Sequence, residues 1–400
     1  MSKRVVITKE KFSDHWYRIL ALLEDNRLLE VNCEDVSDTS ILGNVYIGKV
    51  KRILEKIGAV FVEIAPNEMT YLPFDEAKDA WMVKQCRPDK LTEEDEIVVQ
   101  VVKEAVKTKE PNVSTNICIK GNALILTTGN QKLGISGKLD GAKRSYFQSL
   151  FDGKVGNGFG LIVRTNAGNY SEKQIFAEYQ TIFDKYEYLR KYAKHRTCYS
   201  CLYREPSKAV AEVRNYLAMR LEKIVTDDAA VFEELKQVFS GEAALKESQI
   251  EFYEDDMLSL TALYGLRSKL KEALDERVWL KSGGYLVIQP TEALTVIDVN
   301  SGKCIKGKQK DFCLKMNLEA AEEIARQLRL RNISGICLVD FINMDTGEAK
   351  EELIHTLKKL LAKDTVPAVF VDFTKLGLAE ITRKKVKKPL WEQIQGGFED

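Results

Sequence analysis

The first third of the chain consists of short segments in which apolar and polar residues alternate, a pattern typical of strands. Arg4–Thr8, Trp16–Leu23 and Arg27–Val31 are three such segments, and Glu24–Asn26 predicts a hairpin turn between the last two. A polar stretch from Glu34 to Ser40 then interrupts the pattern. Such a break is expected where a chain leaves one domain for another.

The pattern changes again further along the chain. From Gly43 to Asn116, alternation between turns predicts a small barrel, and residues 119–203 mix strands with a helix near 173–193. After Pro206 apolar residues recur at helical spacing, and beyond Trp279 strands alternate with two helices, which is typical of an α/β domain. The sequence therefore predicts a multidomain protein of mixed α+β and α/β class.

Two of the predicted C-terminal strands each carry an aspartate. In the hairpin predicted over residues 285–300, Asp298 and Asn300 share one face because successive strand side chains point to opposite sides. The apolar run Gly335–Ile342 is interrupted only by Asp340. A strand–helix–strand unit of this kind can bring both carboxylates to the same region of a sheet.

The helix between these strands is predicted over residues 317–331, with Asn317 as its N-cap. Its buried stripe is predicted to contain Leu318, Ala321, Ala325 and Leu328.

Two carboxylates in apolar surroundings repel each other, and a divalent cation would remove that cost. Ligands that are oxygen alone favour magnesium or manganese over zinc. An alternative reading stays open at this point: each aspartate caps a neighbouring turn or pairs with an arginine of the helix.

Charge and composition limit the possible partners. The 60 basic residues balance 60 acidic ones, which excludes capture of a polyanion by net charge and requires any positive field to be local. No apolar run approaches the roughly 20 residues that span a bilayer, so no transmembrane segment is expected. Eight scattered cysteines fit reduced thiols and a cytoplasmic location.

Four long segments resemble the catalytic core of the ribonuclease E/ribonuclease G family. They are Thr291–Ser301, Asn317–Arg331, Val339–Met344 and Gly377–Arg383. The resemblance implies that Asp298 and Asp340 bind magnesium and that Asn300 orients the ligand and the scissile phosphate.

The resemblance also implies the activity. It predicts a magnesium-dependent endoribonuclease that cuts single-stranded RNA into 5′-phosphate and 3′-hydroxyl products, in rRNA processing and mRNA decay. The three histidines, His15, His195 and His355, all lie outside the aspartate strands, which favours metal-assisted hydrolysis over a two-histidine mechanism.

Segments Gly43–Arg52, Gly58–Glu63 and Thr70–Phe74 resemble the OB-type RNA-binding barrel of the same family. Bases stack on exposed aromatic rings while cations hold phosphates, so Tyr46, Phe61, Tyr71 and Lys49 suit such a platform. The family match implies RNA contacts by Phe61 and Tyr71, with Lys109 as a further phosphate contact.

A terminal-phosphate pocket is expected at the end of the predicted strand 160–163. A guanidinium and a hydroxyl suit a phosphate, and the family uses the residues matching Arg164 and Thr165 for 5′-phosphate sensing. The resemblance adds backbone contacts near Gly121 and Ile125 and support from Arg383. The alternative is that Arg164 only pairs with a nearby carboxylate.

Two departures from the family pattern affect these expectations. Ile135–Lys138 stands where the family tends to carry two adjacent arginines. One CxxC pair, Cys198 and Cys201, lacks a second pair downstream, and no cysteine follows Cys337. Zinc is therefore not expected, nor is a zinc-linked tetramer; a homodimer is possible, as in a minimal ribonuclease G-like form.

By the same resemblance, a discontinuous RNase H-like domain is joined to an OB barrel and a 5′-sensor and followed by a DNase I-like catalytic domain. The expected boundaries are 1–37 and 205–272 for the RNase H-like parts, 38–118 for the barrel, 119–204 for the sensor and 273–400 for the catalytic domain. Two other functions are considered: a non-catalytic OB-fold RNA-binding protein and a metal-dependent phosphatase. Loss of cleavage with retained RNA binding in Asp298→Asn separates the enzyme from the first, and hydrolysis of nitrophenyl phosphate identifies the second.

Overall fold

The computed structural model describes residues 2–37, 40–87, 90–105, 110–156, 158–219, 221–239, 249–302, 310–344 and 346–394. The chain divides into two compact units. Unit 1 comprises residues 1–38, 208–238 and 244–400, and unit 2 comprises residues 39–207 and 239–243. Across the described ranges, no helix combines the length and the apolar content needed to cross a bilayer.

The strands of the described chain follow in sequence order. They are β1 (Lys3–Phe12), β2 (His15–Glu24), β3 (Arg27–Asp35), β4 (Val45–Leu54), β5 (Ala59–Ala65), β6 (Glu68–Pro73), β7 (Trp81–Lys84), β8 (Glu96–Lys103), β9 (Asn112–Ser114), β10 (Cys118–Lys120), β11 (Leu124–Thr127), β12 (Leu133–Ile135), β13 (Gly160–Val163), β14 (Cys201–Tyr203), β15 (Lys223–Thr226), β16 (Ile250–Phe252), β17 (Arg277–Trp279), β18 (Tyr285–Pro290), β19 (Leu294–Asn300), β20 (Gly335–Asp340), β21 (Ala368–Phe373) and β22 (Ala379–Arg383).

The α-helices of the same ranges are α1 (Phe74–Ala77), α2 (Gly141–Leu150), α3 (Glu172–Tyr192), α4 (Lys208–Tyr216), α5 (Ala229–Phe239), α6 (Leu260–Leu263), α7 (Leu266–Leu274), α8 (Lys310–Leu330), α9 (Gly347–Leu361) and α10 (Leu390–Gln393).

Unit 1 contains a five-stranded sheet in the order β16-β15-β1-β2-β3. The first three strands of the chain pair antiparallel, whereas β15 runs parallel to β1 and β16 parallel to β15. The predicted hairpin between β2 and β3 is confirmed. Asp25 and Asn26 both have positive φ, 45° and 67°, as a tight two-residue hairpin turn requires.

The second sheet of unit 1 has six strands in the order β17-β18-β19-β20-β22-β21. Its only parallel pair among these strands is β19 with β20, which are joined through α8. One face packs on α8 and α9, where Ile297, Val339, Ile324 and Leu353 belong to one buried cluster. We call the other face the open face; it carries Asp298 and Asp340, both exposed.

Helix α8 begins earlier than the sequence predicts. It starts at Lys310, so Asn317 lies inside the helix and is fully buried, and the predicted N-cap is wrong. The predicted stripe is only partly right, because Leu318 and Ala325 are half-buried whereas Ala321 and Leu328 are fully buried. The buried face is completed by Met316, Asn317, Ala320 and Ile324.

Unit 2 contains a closed five-stranded barrel. Strands β4, β5, β6, β9 and β8 pair in that order, and β4 also pairs with β8. A Cβ atom at Gly48 would lie 2.5 Å from Val62 Cγ1, so the close approach of β4 and β5 requires glycine there. The mixed α+β class and the OB-like barrel expected from the sequence are confirmed.

The second sheet of unit 2 has the order β10-β11-β13-β12 and packs on α2 and α3. The predicted helix near 173–193 corresponds to α3, which opens with a capping box formed by Ser171 and Gln174. Leu126, Leu161 and Ile182 are among the buried residues between this sheet and its helices.

Candidate active site and RNA-binding surfaces

Asp298 and Asp340 are directly opposite each other on neighbouring strands. In the parallel pairing of β19 with β20, their Cα atoms are register partners, and neighbouring strands lie about 4.8 Å apart. Both side chains are exposed on the open face, while Ile297, Val299 and Val339 point into the core. The fold thus holds two carboxylates side by side where water and ions can reach them.

Asn300 lies two residues beyond Asp298 on the same face of β19. Its Nδ2 donates a hydrogen bond of 2.7 Å to Asp298 Oδ2. That bond fixes the rotation of the carboxylate and engages one of its oxygens. The other oxygen and the Asp340 carboxylate keep acceptor capacity for a further ligand.

Asn317 fixes the chain just beyond Asp340. Its Nδ2 donates to the Ile342 carbonyl at 2.7 Å, and its Oδ1 accepts from the Ile342 N–H at 3.0 Å. Asn317 is fully buried, whereas Ile342 is half-buried. The segment that follows β20 is therefore tied to α8, and sequence reasoning missed this role because it assigned Asn317 to a cap.

The donor set on the open face fits a hard divalent cation. Two adjacent carboxylates beside a carboxamide offer oxygen ligands, and magnesium typically binds one or two carboxylates and retains several waters. Within the described ranges, no group of three or more His, Cys, Asp or Glu side chains is placed to hold a metal. Two carboxylate ligands would leave most coordination positions of such an ion to water.

In the barrel of unit 2, Phe61 and Tyr71 form a cross-strand pair. They are register partners on β5 and β6, and their ring centroids lie 6.3 Å apart in an edge-to-face arrangement. Both are half-buried, whereas Val60 and Leu72 beside them are fully buried in the barrel. The two rings thus stand on the outer surface, where a base can reach them.

One cation on β4, Arg52, lies beside this aromatic pair, and Lys49 lies further along the same strand. Arg52 is exposed and is the register partner of Phe61, a position that sequence reasoning missed because a bulge in β4 determines it. Lys49 bonds to Glu94 at 3.2 Å, and this hydrogen bond raises the pKa of Lys49. Tyr46 is half-buried and accepts a hydrogen bond from Asn44. Lys109 lies outside the described residues.

Arg164 is exposed where β13 ends, and its guanidinium is held by backbone carbonyls. Nη1 donates to the carbonyls of Gly121 and Asn122 at 3.0 and 3.3 Å. The next residue, Thr165, is hydrogen-bonded to Ser136 at 2.8 Å between their hydroxyl oxygens. The structure therefore pairs Thr165 with Ser136, which was not singled out from the sequence, and holds the Arg164 guanidinium at the carbonyls of Gly121 and Asn122.

The loop before β11 lies next to Arg164 and is held by its own hydrogen bonds. The N–H of Gly121 donates to the Leu124 carbonyl, so Gly121 contributes its carbonyl to Arg164 rather than a free donor. Glu178 accepts from the N–H groups of Ala123 and Leu124, both at 2.8 Å. Ile125 lies on β11 as the register partner of Ile162.

Arg383 lies at the end of β22 in unit 1, with a buried side chain. Its Nε donates to Asp364 at 2.8 Å, and Nη1 donates to Asn332 Oδ1 at 2.9 Å and to the Ile333 carbonyl at 3.2 Å. The side chains of Arg383 and Asp364 are only 4% and 3% exposed. Through these contacts Arg383 connects the end of β22 to Asp364, Asn332 and Ile333 within unit 1.

The CxxC pair of unit 2 carries free thiols. Cys198 is half-buried and Cys201 is exposed, and burial raises the pKa of Cys198.

Comparisons with known proteins point to one family. Residues 118–386 match the sequence profile of the Ribonuclease E/G family. Ribonuclease G of Haemophilus influenzae is 31% identical over 384 residues, covering 93% of this chain and 78% of that protein. Ribonuclease E of Synechocystis is 30% identical over 401 residues, covering 98% and 58%. Ribonuclease G of Escherichia coli is 28% identical over 383 residues, covering 93% and 78%.

Proposed function

The chain belongs to the ribonuclease E/G family and is an endoribonuclease, and from that premise we propose that it hydrolyses single-stranded RNA with magnesium. The products would carry 5′-phosphate and 3′-hydroxyl ends. Relatives named ribonuclease G and ribonuclease E support a role in RNA processing, and we propose rRNA processing and mRNA decay as the specific pathways.

The register of Asp298 with Asp340 carries this proposal. Two adjacent carboxylates would repel an RNA phosphate. An RNA-cleaving site built on them therefore needs a cation between the carboxylates and the phosphate. Magnesium, when bound, neutralises charge on the phosphodiester and lowers the pKa of a water for in-line attack. Asp298 and Asp340 would hold the ion, and manganese, which also prefers oxygen ligands, is expected to substitute.

Asn300 orients this site. Because its amide donates to Asp298 Oδ2, the Asp298 carboxylate would already be restrained in its rotation before an ion binds. A preorganised ligand loses less conformational entropy on binding. The Asn300 carboxamide would also help to position the scissile phosphate beside the two aspartates.

The barrel of unit 2 supports a single-stranded substrate. Phe61 and Tyr71 present ring surface and edges to stack bases, which are accessible only in unpaired RNA. Exposed Arg52 would hold a phosphate beside them. Lys109 remains a proposed phosphate contact on the basis of the family resemblance.

Arg164, Thr165 and Ser136 support preference for a 5′-monophosphate. The Arg164 guanidinium and the hydroxyls of Thr165 and Ser136 would each donate to a terminal phosphate, whose charge strengthens each hydrogen bond. Gly121 and Ile125 would line this pocket. Arg383 is included only on the basis of the family resemblance. In the structure its guanidinium donates a hydrogen bond to Asp364.

We propose the family architecture for the two units. The five-stranded sheet of unit 1 draws strands from residues 3–35 and 223–252, which supports a discontinuous RNase H-like domain. The six-stranded sheet with α8 and α9 supports a DNase I-like catalytic domain over residues 273–400. A cytoplasmic location fits the free thiols. A homodimer is compatible with this proposal, which includes neither zinc nor a zinc-linked tetramer.

The test uses the full chain, a 5′-monophosphorylated single-stranded RNA and a gel, with and without chelator. Cleavage should require added magnesium and leave 5′-phosphate ends. Asp298→Asn and Asp340→Asn remove a charged ligand each and should lower the cleavage rate at least a hundredfold while RNA affinity stays within about threefold, since the barrel is untouched.

Asp372→Asn is the matched control, because Asp372 is an exposed aspartate of the same sheet, on β21. It should cleave like the parent. Cleavage by Asp298→Asn at the parental rate, or undiminished cleavage in chelator, would refute the metal site. Hydrolysis of nitrophenyl phosphate without RNA cleavage would point to a phosphatase instead.

A further inference from the structure

We propose that Trp279, Tyr285 and Arg277 form a base-stacking subsite for a nucleotide next to the bond that is cut. We call these three residues the aromatic stack. The inference rests on the proposed cleavage at Asp298 and Asp340, and it assigns a substrate contact within unit 1 itself.

The aromatic stack is held together by its own contacts. The ring centroids of Trp279 and Tyr285 lie 5.3 Å apart with planes inclined by 58°. The Arg277 guanidinium carbon lies 4.5 Å from the Tyr285 centroid and 5.8 Å from that of Trp279. Cation–π attraction of this kind helps to orient both rings, of which Trp279 is exposed and Tyr285 is half-buried.

Strand register places the aromatic stack on the open face beside the carboxylates. On β18, Tyr285 is the partner of both Trp279 on β17 and Asn300 on β19. In the neighbouring row, Val287 is the partner of both Arg277 and Asp298. With strands about 4.8 Å apart, Arg277 is about 10 Å from Asp298 between Cα atoms, within reach of an adjoining nucleotide.

Alternation along the strands confirms that these side chains share that face. Val278 between Arg277 and Trp279 packs on the core cluster, and Leu286 next to Tyr285 is fully buried. Arg277 and Trp279 are exposed. The rings therefore project on the side of Asp298 and not into the core.

The chemistry of the aromatic stack suits a nucleobase. Trp279 is 65% exposed, and its indole would lose contact with water when a base stacks on it. Every base has a π-face, so stacking on an aromatic ring tolerates any sequence. Arg277 adds a positive charge to a face that carries Asp298 and Asp340, which helps to hold a phosphate nearby.

The test compares Trp279→Ala and Tyr285→Ala with the unsubstituted parent chain on a short RNA that has one cleavage site. Stacking at this position contributes equally to the bound substrate and the transition state, so KM should rise about tenfold while kcat stays within about twofold. Trp279→Phe keeps a ring and should restore most of the affinity.

A second substrate isolates the base contact. RNA that is abasic at the nucleotides flanking the cleavage site should lose about tenfold in kcat/KM with the parent. With Trp279→Ala it should lose nothing further. Equal losses with both proteins would overturn the subsite, because the base would then act elsewhere.

Trp16→Ala is the matched control. Trp16 is another exposed tryptophan of unit 1, on β2 in the five-stranded sheet, and its variant should keep the parental KM. If an alanine variant folds poorly, tryptophan fluorescence gives a second measurement. The fluorescence of Trp279 is obtained by subtracting the spectrum of Trp279→Phe from that of the parent, and added RNA should quench it.

The outcomes separate this inference from the proposed function. A parent that cleaves with magnesium while Trp279→Ala keeps the parental KM overturns only the subsite. A change of oligomeric state in Trp279→Ala with unchanged KM would assign the aromatic stack to a protein interface instead. A parent that cleaves no RNA overturns the proposed function and the subsite together.

Discussion

The side-chain amide of Asn317 pairs with both backbone groups of Ile342, donating to its carbonyl at 2.7 Å and accepting from its N–H at 3.0 Å. Asn317 lies in the middle of α8, and Ile342 follows the strand that ends at Asp340. One buried side chain therefore satisfies a stretch of irregular backbone next to a proposed metal ligand.

Asn317→Ala should destabilise the fold and slow cleavage. It leaves the Ile342 N–H and carbonyl without their partner, which costs about 2–4 kcal/mol of unfolding free energy. Because the chain after Asp340 is then less fixed, kcat should fall more than RNA affinity. Denaturant unfolding and single-turnover cleavage measure both effects.

Glu322→Ala provides the control, since Glu322 is an exposed residue of the same helix. It should change the unfolding free energy by less than about 0.5 kcal/mol. Equal free energies of unfolding for the Asn317→Ala and Glu322→Ala proteins would show that the two hydrogen bonds between Asn317 and Ile342 are dispensable.

Arg164→Ala should abolish preference for a 5′-monophosphate. Hydrogen bonds to a charged group contribute about 1.5–3 kcal/mol, which corresponds to a preference of about ten- to hundredfold. The ratio of kcat/KM for 5′-monophosphate and 5′-hydroxyl forms of one RNA should therefore fall to about one. Arg190→Ala, at an exposed arginine of α3 that pairs with Glu187, should keep the parental ratio. An unchanged ratio in Arg164→Ala would remove the sensor assignment.

Arg383→Ala should weaken unit 1 by breaking a buried ion pair. Its loss leaves the Asp364 carboxylate buried without its partner, at a cost of about 3–5 kcal/mol. Thr382→Ala, at the exposed neighbouring position of β22, is the control for the strand itself. Thermal and denaturant unfolding of both variants decide the matter, and a loss below about 1 kcal/mol would contradict the pair's structural role.

Glu30 on β3 should make stability depend on pH. Burial raises the pKa of its carboxyl, and Tyr216 donates to it at 3.2 Å while Arg329 lies 3.9 Å away. Since the folded pKa exceeds the unfolded one, the folded chain binds more protons, and the contribution of Glu30 to stability is lost as pH rises through the folded pKa.

Glu30→Gln keeps a side chain of the same shape that cannot ionise. Urea unfolding between pH 4 and 8 should give a flatter curve for the variant than for the parent. Lys387 lowers this pKa and Asp364 raises it, so both stay unchanged in the comparison. Parallel curves for the two proteins would show that Glu30 titrates alike in the folded and unfolded chains.

Local pattern was enough to predict the aspartate strands. Alternation along β19 placed Asp298 and Asn300 on the exposed face, as observed, because burial of Ile297 and Val299 leaves no other orientation. The start of α8 was not predicted. The sequence pattern favours Asn317 as an N-cap, and its actual hydrogen-bond partner, Ile342, is distant in sequence and cannot be recognised from that pattern. Tertiary hydrogen bonding overrode a local preference there.

Residues whose position depends on pairing between strands were missed for the same reason. Arg52 meets Phe61 only through the bulge in β4, and Ser136 meets Thr165 only through the parallel pairing of β12 with β13. Neither register can be read from one strand alone. The roles of all these side chains in cleavage stay predictions for the experiments above.

The parallel alignment of β19 with β20 also links folding to chemistry. A shift of β20 by a single residue would turn Asp340 inward and push Val339 into water, since strand side chains alternate with a period of two. A misaligned chain would thus bury an acid and lose its core packing in one event. Variants with one residue inserted or deleted between Gly335 and Asp340 should therefore fail to fold, and they should not be obtained as folded but inactive enzymes.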